Sequence, residues 1–168
     1  MLPPGMRAQQ IERRVGVLLA YRESDAAGRG WVKAFRDGMA QFGWTEGRNV
    51  QLDLRWATTD LNIIEQNAKA LVAAHPEVIL SSSTPTTAAL KQQTHTIPIV
   101  FANVVDPVGS GFVASLSRPG GNVTGFVNLE ASISGKWLGL LKEVAPHVAR
   151  VAVLFHPPTA PYAHIYLD

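Results

Sequence analysis

Short apolar runs alternate along this chain with segments in which apolar residues recur at every third or fourth position. Continuous apolar runs predict buried strands, and one stretch of alternating residues predicts a half-buried strand. The five predicted strands lie at residues 15–20, 49–55, 78–80, 97–102 and 123–127. Helical spacing predicts helices near residues 31–42, 61–72, 85–93 and 108–116. Because strands and helices alternate, we predict an α/β fold, a flavodoxin-like doubly wound parallel sheet with strand order 2-1-3-4-5.

The pattern begins again after the fifth predicted strand, with a helix at residues 134–144 and a buried-type strand at 151–155. One helix and one strand cannot cover each other, and a segment of roughly 40 residues is generally too small to fold alone. We expect a flexible N-terminal extension (1–13), a complete first lobe (14–127), and a crossover with an incomplete second lobe (128–168). The uncovered apolar surfaces predict a homodimer, formed by exchange of this last segment between copies.

Charge and composition narrow the class of protein. The net charge is +2, from 15 Lys and Arg against 13 Asp and Glu, so nucleic acid is not an expected partner. The chain has no cysteine, and its five histidines show no metal spacing, so we expect no metal and no other cofactor. The glycine-rich phosphate-binding motifs and the G-x-S-x-G nucleophile motif are lacking, so we do not expect an enzyme.

Five segments of the chain carry a resemblance to a known family. They are RVGVL at 14–18, FGWTEGRNV at 42–50, STPTTAA at 83–89, PIVF at 98–101 leading into DPVGSGFV at 106–113, and RPGGNVTG at 118–125. Together they resemble the ABC-transporter substrate-binding protein family, which includes tryptophan- and other aromatic-amino-acid-binding lipoproteins. Each segment alone is a weak signal, but five in this order are specific. The resemblance covers nearly the whole chain from Arg14.

The resemblance implies a type I periplasmic-binding-protein fold, in which two lobes close over a small molecule and present it to an ABC permease in the membrane. It implies a solute-binding component of an importer, located outside the cytoplasm, for an amino acid or aromatic carboxylate. Family members are longer and begin with an export signal, whereas residues 1–10 lack an apolar signal core. We therefore expect a truncated second lobe and weak or no ligand binding. The alternatives are a cytoplasmic ligand sensor or non-functional remnant and, less favoured, an enzyme on a flavodoxin-like scaffold.

Doubly wound sheets bind ligands beyond the carboxyl ends of their strands, near the point where the winding reverses. The loop after the third predicted strand is the sharpest candidate there, since it carries the hydroxyls of Ser82, Ser83, Thr84 and Thr86. The N–H groups at the start of the following helix favour an anion, so we expect this loop to bind a ligand carboxylate. The alternative is a helix cap, which needs one hydroxyl and no ligand.

The remaining candidate residues lie in other loops. Asp106 is expected to receive a ligand ammonium, or else to cap the helix predicted after it. Asn103 faces the same cleft and can both donate and accept. Tyr21, at the end of the first predicted strand, is a candidate for stacking on an apolar or aromatic part of the ligand. Asn128, at the crossover, is expected near the hinge, with a solvated linker as its alternative.

Overall fold

The computed structural model describes residues 13–127, 133–160 and 162–166. Five parallel strands form one sheet: β1 (Arg13–Leu19), β2 (Val50–Trp56), β3 (Val78–Ser81), β4 (Ile99–Ala102) and β5 (Val123–Phe126). The helices are α1 (Ala26–Gln41), α2 (Leu61–Ala73), α3 (Thr84–Gln93) and α4 (Ile133–Val144), followed by a short 3₁₀ turn at Ala163–Tyr166. The strand order β2-β1-β3-β4-β5 confirms the predicted doubly wound α/β fold.

Buried apolar side chains form two clusters, one on each side of the sheet. Successive strand residues point to opposite faces, so Leu18 joins the larger cluster with α2 and α3, whereas Val17 and Leu19 join the smaller one with α1. Gly16 of β1 lies under α2, because a Cβ there would approach Leu71 Cδ2 to 2.5 Å. The sheet is therefore closely covered on one side, and its carboxyl edge is held in place by that packing.

The first helix begins earlier than its apolar spacing predicts. Asp25 caps it by accepting the N–H of Ala27 at 2.8 Å, and the helix then runs through two glycines before residue 31. Its predicted end is confirmed, since Gly43 adopts a left-handed φ of 83° just beyond the last turn. The cap thus extends α1 back to the loop that follows β1, beside Tyr21.

Three tryptophans of the helices and helix ends are substantially exposed. Trp31, Trp44 and Trp137 are 50%, 41% and 51% exposed. The reason on α1 is rotational: Val32 is buried against the sheet, and an adjacent helical residue points about 100° away from it. An apolar residue next to the buried face is therefore left at the boundary with solvent.

The short helix predicted at residues 108–116 is absent, and turns replace it within the described chain. Gly111 lies inside the predicted helix and has a left-handed φ of 68°, which prevents a continuous right-handed helix there. Asp106, just before it, also has a left-handed φ, of 45°. Only part of the predicted inward face is realised, since Val113 is buried whereas Leu116 is 60% exposed. This segment is a turn-rich loop that carries Asp106 to the sheet edge.

The region after β5 is less well covered than the sheet. α4 confirms the predicted helix but has no buried residue, and the strand predicted at 151–155 is not formed. A strand needs a neighbour to pair with, and the described chain places none beside this segment. Leu154 is almost fully exposed as a result. Within the described residues, no helix combines the length and apolar character needed to cross a membrane.

Candidate functional site

The carboxyl edge of the sheet gathers the predicted site residues. Tyr21 follows β1, Ser82 and Ser83 follow β3, and Asn103 and its loop follow β4. Because the strands are parallel, all these loops leave the sheet at the same edge. The predicted site residue Asn128 lies outside the described residues.

Two cavities at this edge are lined by five of the predicted site residues, whereas Ser83 and Thr86 line neither. Thr84 and Asp106 line a cavity of about 400 Å³, whereas Tyr21, Ser82 and Asn103 line a second cavity of about 200 Å³. The larger cavity is lined by apolar residues and by further polar ones, namely Leu61, Ile64, Ala88, Ala89 and Phe112 together with Glu65, Gln92 and Ser110. The smaller cavity is walled by α1 and β1, chiefly through Val17, Leu19, Trp31, Val32 and Phe35. The structure therefore does not bring all the candidates into one pocket.

Ser83 and Thr86 form a capping box at the start of α3. The Ser83 N–H donates to Thr86 Oγ1 at 3.0 Å, and the Thr86 N–H donates to Ser83 Oγ at 3.4 Å. Thr86 is fully buried, and its hydroxyl also donates to the Ser83 carbonyl at 3.0 Å. These are the contacts of the helix-cap alternative. Pro85 has no N–H group to donate. In the first turn of α3, the N–H of Thr84 has no acceptor among the described residues.

A buried hydroxyl network supports this turn. Ser81 Oγ lies 2.8 Å from both Thr86 Oγ1 and Thr87 Oγ1, and Thr87 donates to the Ser83 carbonyl at 2.8 Å. Sequence reasoning missed Ser81 and Thr87, although the run of hydroxyl residues at 81–87, interrupted only by Pro85, was a signal for them. Because each buried hydroxyl has a partner, the turn keeps its shape without a ligand.

A hydrogen bond joins the β3 and β4 loops. Thr84 Oγ1 accepts the N–H of Val105 at 3.3 Å, and both residues are buried. This bond places the start of α3 beside Asp106. The two chemical groups that the sequence assigned to a ligand carboxylate and a ligand ammonium therefore belong to one connected structure.

Asp106 is held with one carboxylate oxygen bonded and the other available. Oδ1 accepts the Gly109 N–H at 2.8 Å, and Oδ2 accepts no hydrogen bond from the described residues. Asn103 and Asp106 both have left-handed φ angles, 60° and 45°, which Asn and Asp adopt more readily than other non-glycine residues. The helix that Asp106 was expected to cap is not formed, and Oδ1 caps a turn instead. Asp106 itself lines the larger cavity.

Ser82 and Tyr21 occupy the edge of the smaller cavity. Ser82 Oγ accepts the N–H of Ala20 at 3.0 Å and so ties the β3 loop to the end of β1. Tyr21 is half-buried, and its Cβ packs close to Gly28 of α1. These contacts fix the cavity wall, and the cavity itself is mostly apolar.

Residues from beyond the sheet also reach the larger cavity, and the sequence did not reveal them. Pro158 and Tyr162 line it, and Tyr166 packs against Tyr162. Burial raises the pKa of Tyr166 above its ordinary value of 10.0, with smaller contributions in the same direction from Tyr162 and Asp106. No sequence signal links these tyrosines to Asp106, since Tyr162 and Tyr166 lie 56 and 60 residues after it. Among the described residues, no group of three or more acidic or histidine side chains is arranged to hold a metal ion.

The chain is similar to several known proteins. The sequence profile described as ABC transporter substrate binding protein matches residues 19–163. A tyrosine-binding protein of Clostridioides difficile is 32% identical over 147 residues, which are 86% of this chain and 41% of that protein. A conserved domain protein of Vibrio cholerae has a TM-score of 0.82 at 33% identity, covering 91% of this chain and 50% of its own. An ABC domain from Streptococcus pneumoniae, solved in complex with L-Trp, has a TM-score of 0.73 at 28% identity, covering 82% and 45%.

The chain thus spans about half the length of the relatives that it matches, or less. The matched profile covers most of the sequence and includes all the motif segments after the first. Both cavities at the carboxyl edge lie largely within it, so the resemblance and the fold refer to the same part of the molecule. The chain belongs to the family of ABC transporter substrate-binding proteins.

Proposed function

We propose that this chain contributes the first lobe of a solute-binding protein that captures an amino acid, most favourably an aromatic one. The observation that carries this proposal is the pairing of the Asp106 carboxylate with the start of α3 at one cavity of about 400 Å³. The relatives that bind tyrosine and L-Trp support the ligand class. The ligand ammonium is assigned to Asp106 Oδ2, and the ligand carboxylate to the Thr84 N–H.

The size and lining of the cavity agree with such a ligand. Its volume lies at the lower end of the range found for small-molecule sites, and its lining combines apolar side chains with the polar side chains of Glu65, Thr84, Gln92, Asp106, Ser110 and Tyr162. The Thr84–Val105 bond holds the cationic and anionic subsites beside each other, which suits the adjacent charges of an amino acid. Closure of a second lobe would exclude water and strengthen both electrostatic contacts.

Calorimetric titration with L-tyrosine tests the role of Asp106. Asp106→Asn keeps an oxygen that can accept the Gly109 N–H but removes the negative charge. Loss of a hydrogen bond to a charged group costs about 1.5–3 kcal/mol. We therefore expect binding about 10- to 150-fold weaker. Asp37→Asn is the matched control, since Asp37 is an exposed α1 residue paired with Lys33. Equal affinity of Asp106→Asn and the native chain would refute the assignment.

We infer an extracytoplasmic location and an ABC permease as the membrane partner from membership of the family. A cytoplasmic ligand sensor is the competing role for the same lobe. Fractionation of cells that produce the native protein separates the two, because an importer component must be recovered outside the cytoplasm. Recovery in the cytoplasm alone would contradict the transport role while leaving ligand binding intact.

We also propose that two copies associate through the segment after β5. The observation that favours this is the exposed apolar surface of α4 and the following chain, chiefly Trp137, Leu138, Leu140, Leu141 and Leu154. Light scattering at micromolar concentration should give a dimer, and Leu140→Lys should shift it to a monomer. Phe42→Lys is the control, because Phe42 is 83% exposed at the end of α1 in the first lobe. A monomeric native chain would exclude the association.

A further inference from the structure

The larger cavity has a wall that comes from outside the sheet. Most of its lining residues, including Thr84 and Asp106, belong to α2, α3 or the β4–β5 loop. Two others, Pro158 and Tyr162, come from the segment after α4. Tyr162 is partly buried, so its ring is shared between the protein and the cavity. A ligand bound at Asp106 would therefore meet this ring.

Tyr162 is oriented by two further aromatic rings. Tyr166 meets Tyr162 edge to face, with centroids 6.3 Å apart and planes at 88°. Trp137 of α4 also contacts Tyr166, with centroids 6.2 Å apart and planes at 36°. Both separations fall within the range of favourable aromatic pairs. The three rings form a continuous row, which we call the aromatic row, and Tyr162 is its end at the cavity.

The Tyr166 hydroxyl links the aromatic row electrostatically to Asp106. The hydroxyl oxygen is buried and has no hydrogen-bond partner among the described residues. Besides burial, Tyr162 and then Asp106 raise the pKa of Tyr166, so both groups act on the same phenol. The aromatic row and the carboxylate therefore border one space, although they are far apart in the sequence.

We propose that Tyr162 is a specificity-determining residue, whose ring packs on the aromatic side group of an amino acid held at Asp106. Tyr166 is a positioning residue, which acts through Tyr162. This inference rests on the proposed function and adds the reason for preferring an aromatic ligand to an aliphatic one. An aliphatic side group is buried in the same cavity but forms no ring–ring contact with Tyr162.

Calorimetric titration with L-tyrosine and with L-leucine as probes tests this role in the whole chain. Tyr162→Phe keeps the ring and should bind both probes within about twofold of the native chain. Tyr162→Leu removes the ring and should weaken L-tyrosine binding by about 3- to 10-fold. Binding of L-leucine should change by less than about twofold, because apolar contact is retained. The affinity ratio of the two probes is the decisive quantity.

Tyr166→Ala tests the positioning role and should lower the same ratio, whereas Tyr166→Phe should preserve it. Phe42→Leu, an exposed change in the first lobe, is the control and should alter neither affinity. An equal loss for both probes in Tyr162→Leu would mean a general structural role and would overturn the inference. So would an unchanged L-tyrosine affinity.

The two proposals fail in different ways. If Asp106→Asn weakens both probes while Tyr162→Leu changes neither, the proposed function stands and the specificity role is wrong. If the native chain binds neither probe, the proposed function fails, and the specificity role fails with it. A thermal melt of each variant shows whether a loss of binding reflects a loss of folding.

Discussion

Replacing Gly109 by alanine should displace the Asp106 carboxylate. A Cβ at Gly109 would lie 1.9 Å from Asp106 Oδ2 and 2.7 Å from its Cγ, whereas real Cβ contacts under 3.0 Å are essentially never seen. One of the two groups must therefore move by about 1 Å. The aspartate side chain can rotate, but rotation breaks the 2.8 Å hydrogen bond from the Gly109 N–H.

The expected cost follows from that bond. A hydrogen bond to a charged group contributes about 1.5–3 kcal/mol, and we take roughly 1–2 kcal/mol because this bond is exposed. For a chain of this size, each kcal/mol lowers Tm by about 2–4 °C, so the drop should be about 2–8 °C. If the displaced carboxylate binds the ligand ammonium, affinity for L-tyrosine should fall by about tenfold, which is 1.4 kcal/mol.

Scanning calorimetry and titration of the same samples measure both effects. Gly30→Ala is the control for adding a methyl group, because a Cβ there meets no atom within 4 Å. The sharper test places Gly109→Ala in an Asp106→Ala background, where the obstructing carboxylate is gone and the added cost should nearly vanish. The same cost in both backgrounds would show that the collision is not with Asp106, and the reasoning would be refuted.

Other substitutions test the packing and the tyrosines. Gly30→Ala itself should stabilise the chain by about 0.5–1 kcal/mol, since it lies free within α1, and urea unfolding measures this. Gly16→Ala should destabilise it by about 1–3 kcal/mol, because the new Cβ lies 2.5 Å from Leu71 Cδ2, and an unchanged urea midpoint would contradict the close β1–α2 packing. The raised pKa of Tyr166 stabilises the folded chain below pH 10.0, and that contribution should be lost as the pH rises through the folded pKa. The Tyr166→Phe variant should lose less free energy of unfolding than the native chain as the pH rises above 10.0, because phenylalanine does not ionise. If the free energy of unfolding falls equally with pH in both proteins, the burial of this phenol is contradicted.

The strands and helices were predictable because apolar runs and helical spacing reflect burial. Their alternation along the chain then predicted the doubly wound sheet and its strand order. The start of α1 was not, since Gly28 and Gly30 are poor helix formers and the first apolar residue of the pattern is Trp31. The Asp25 cap decides the boundary, and a cap depends on local backbone geometry as well as on residue type. The cap therefore moves the start of α1, a helix whose presence the apolar spacing alone predicts.

The loop after β4 shows where helical spacing misleads. Its apolar residues fit a helix, but the left-handed backbone at Asp106 and Gly111 produces turns. The same turn brings Asp106 Oδ1 to the Gly109 N–H, whereas Oδ2 accepts no hydrogen bond from the described residues. The sequence thus predicted the residue and the sheet edge, and only the backbone conformation shows which oxygen is available.

The aromatic wall of the cavity lay beyond sequence reasoning for a different reason. Tyr162 approaches Asp106 through packing of the segment after α4, and neither residue's neighbours in the chain carry a signal for that contact. The division of the candidates between two cavities likewise depends on side-chain directions. Tyr21 and Asp106 leave the same edge of the sheet yet line different spaces.

The interlocked hydroxyls of Ser81, Thr86 and Thr87 have a consequence for how this protein family diversifies. Because they satisfy one another inside the protein, the turn at the start of α3 does not depend on any particular ligand for its shape. Substitutions on the cavity walls can then accumulate without unfolding the turn. The cavity lining can therefore change while the start of α3 keeps its shape.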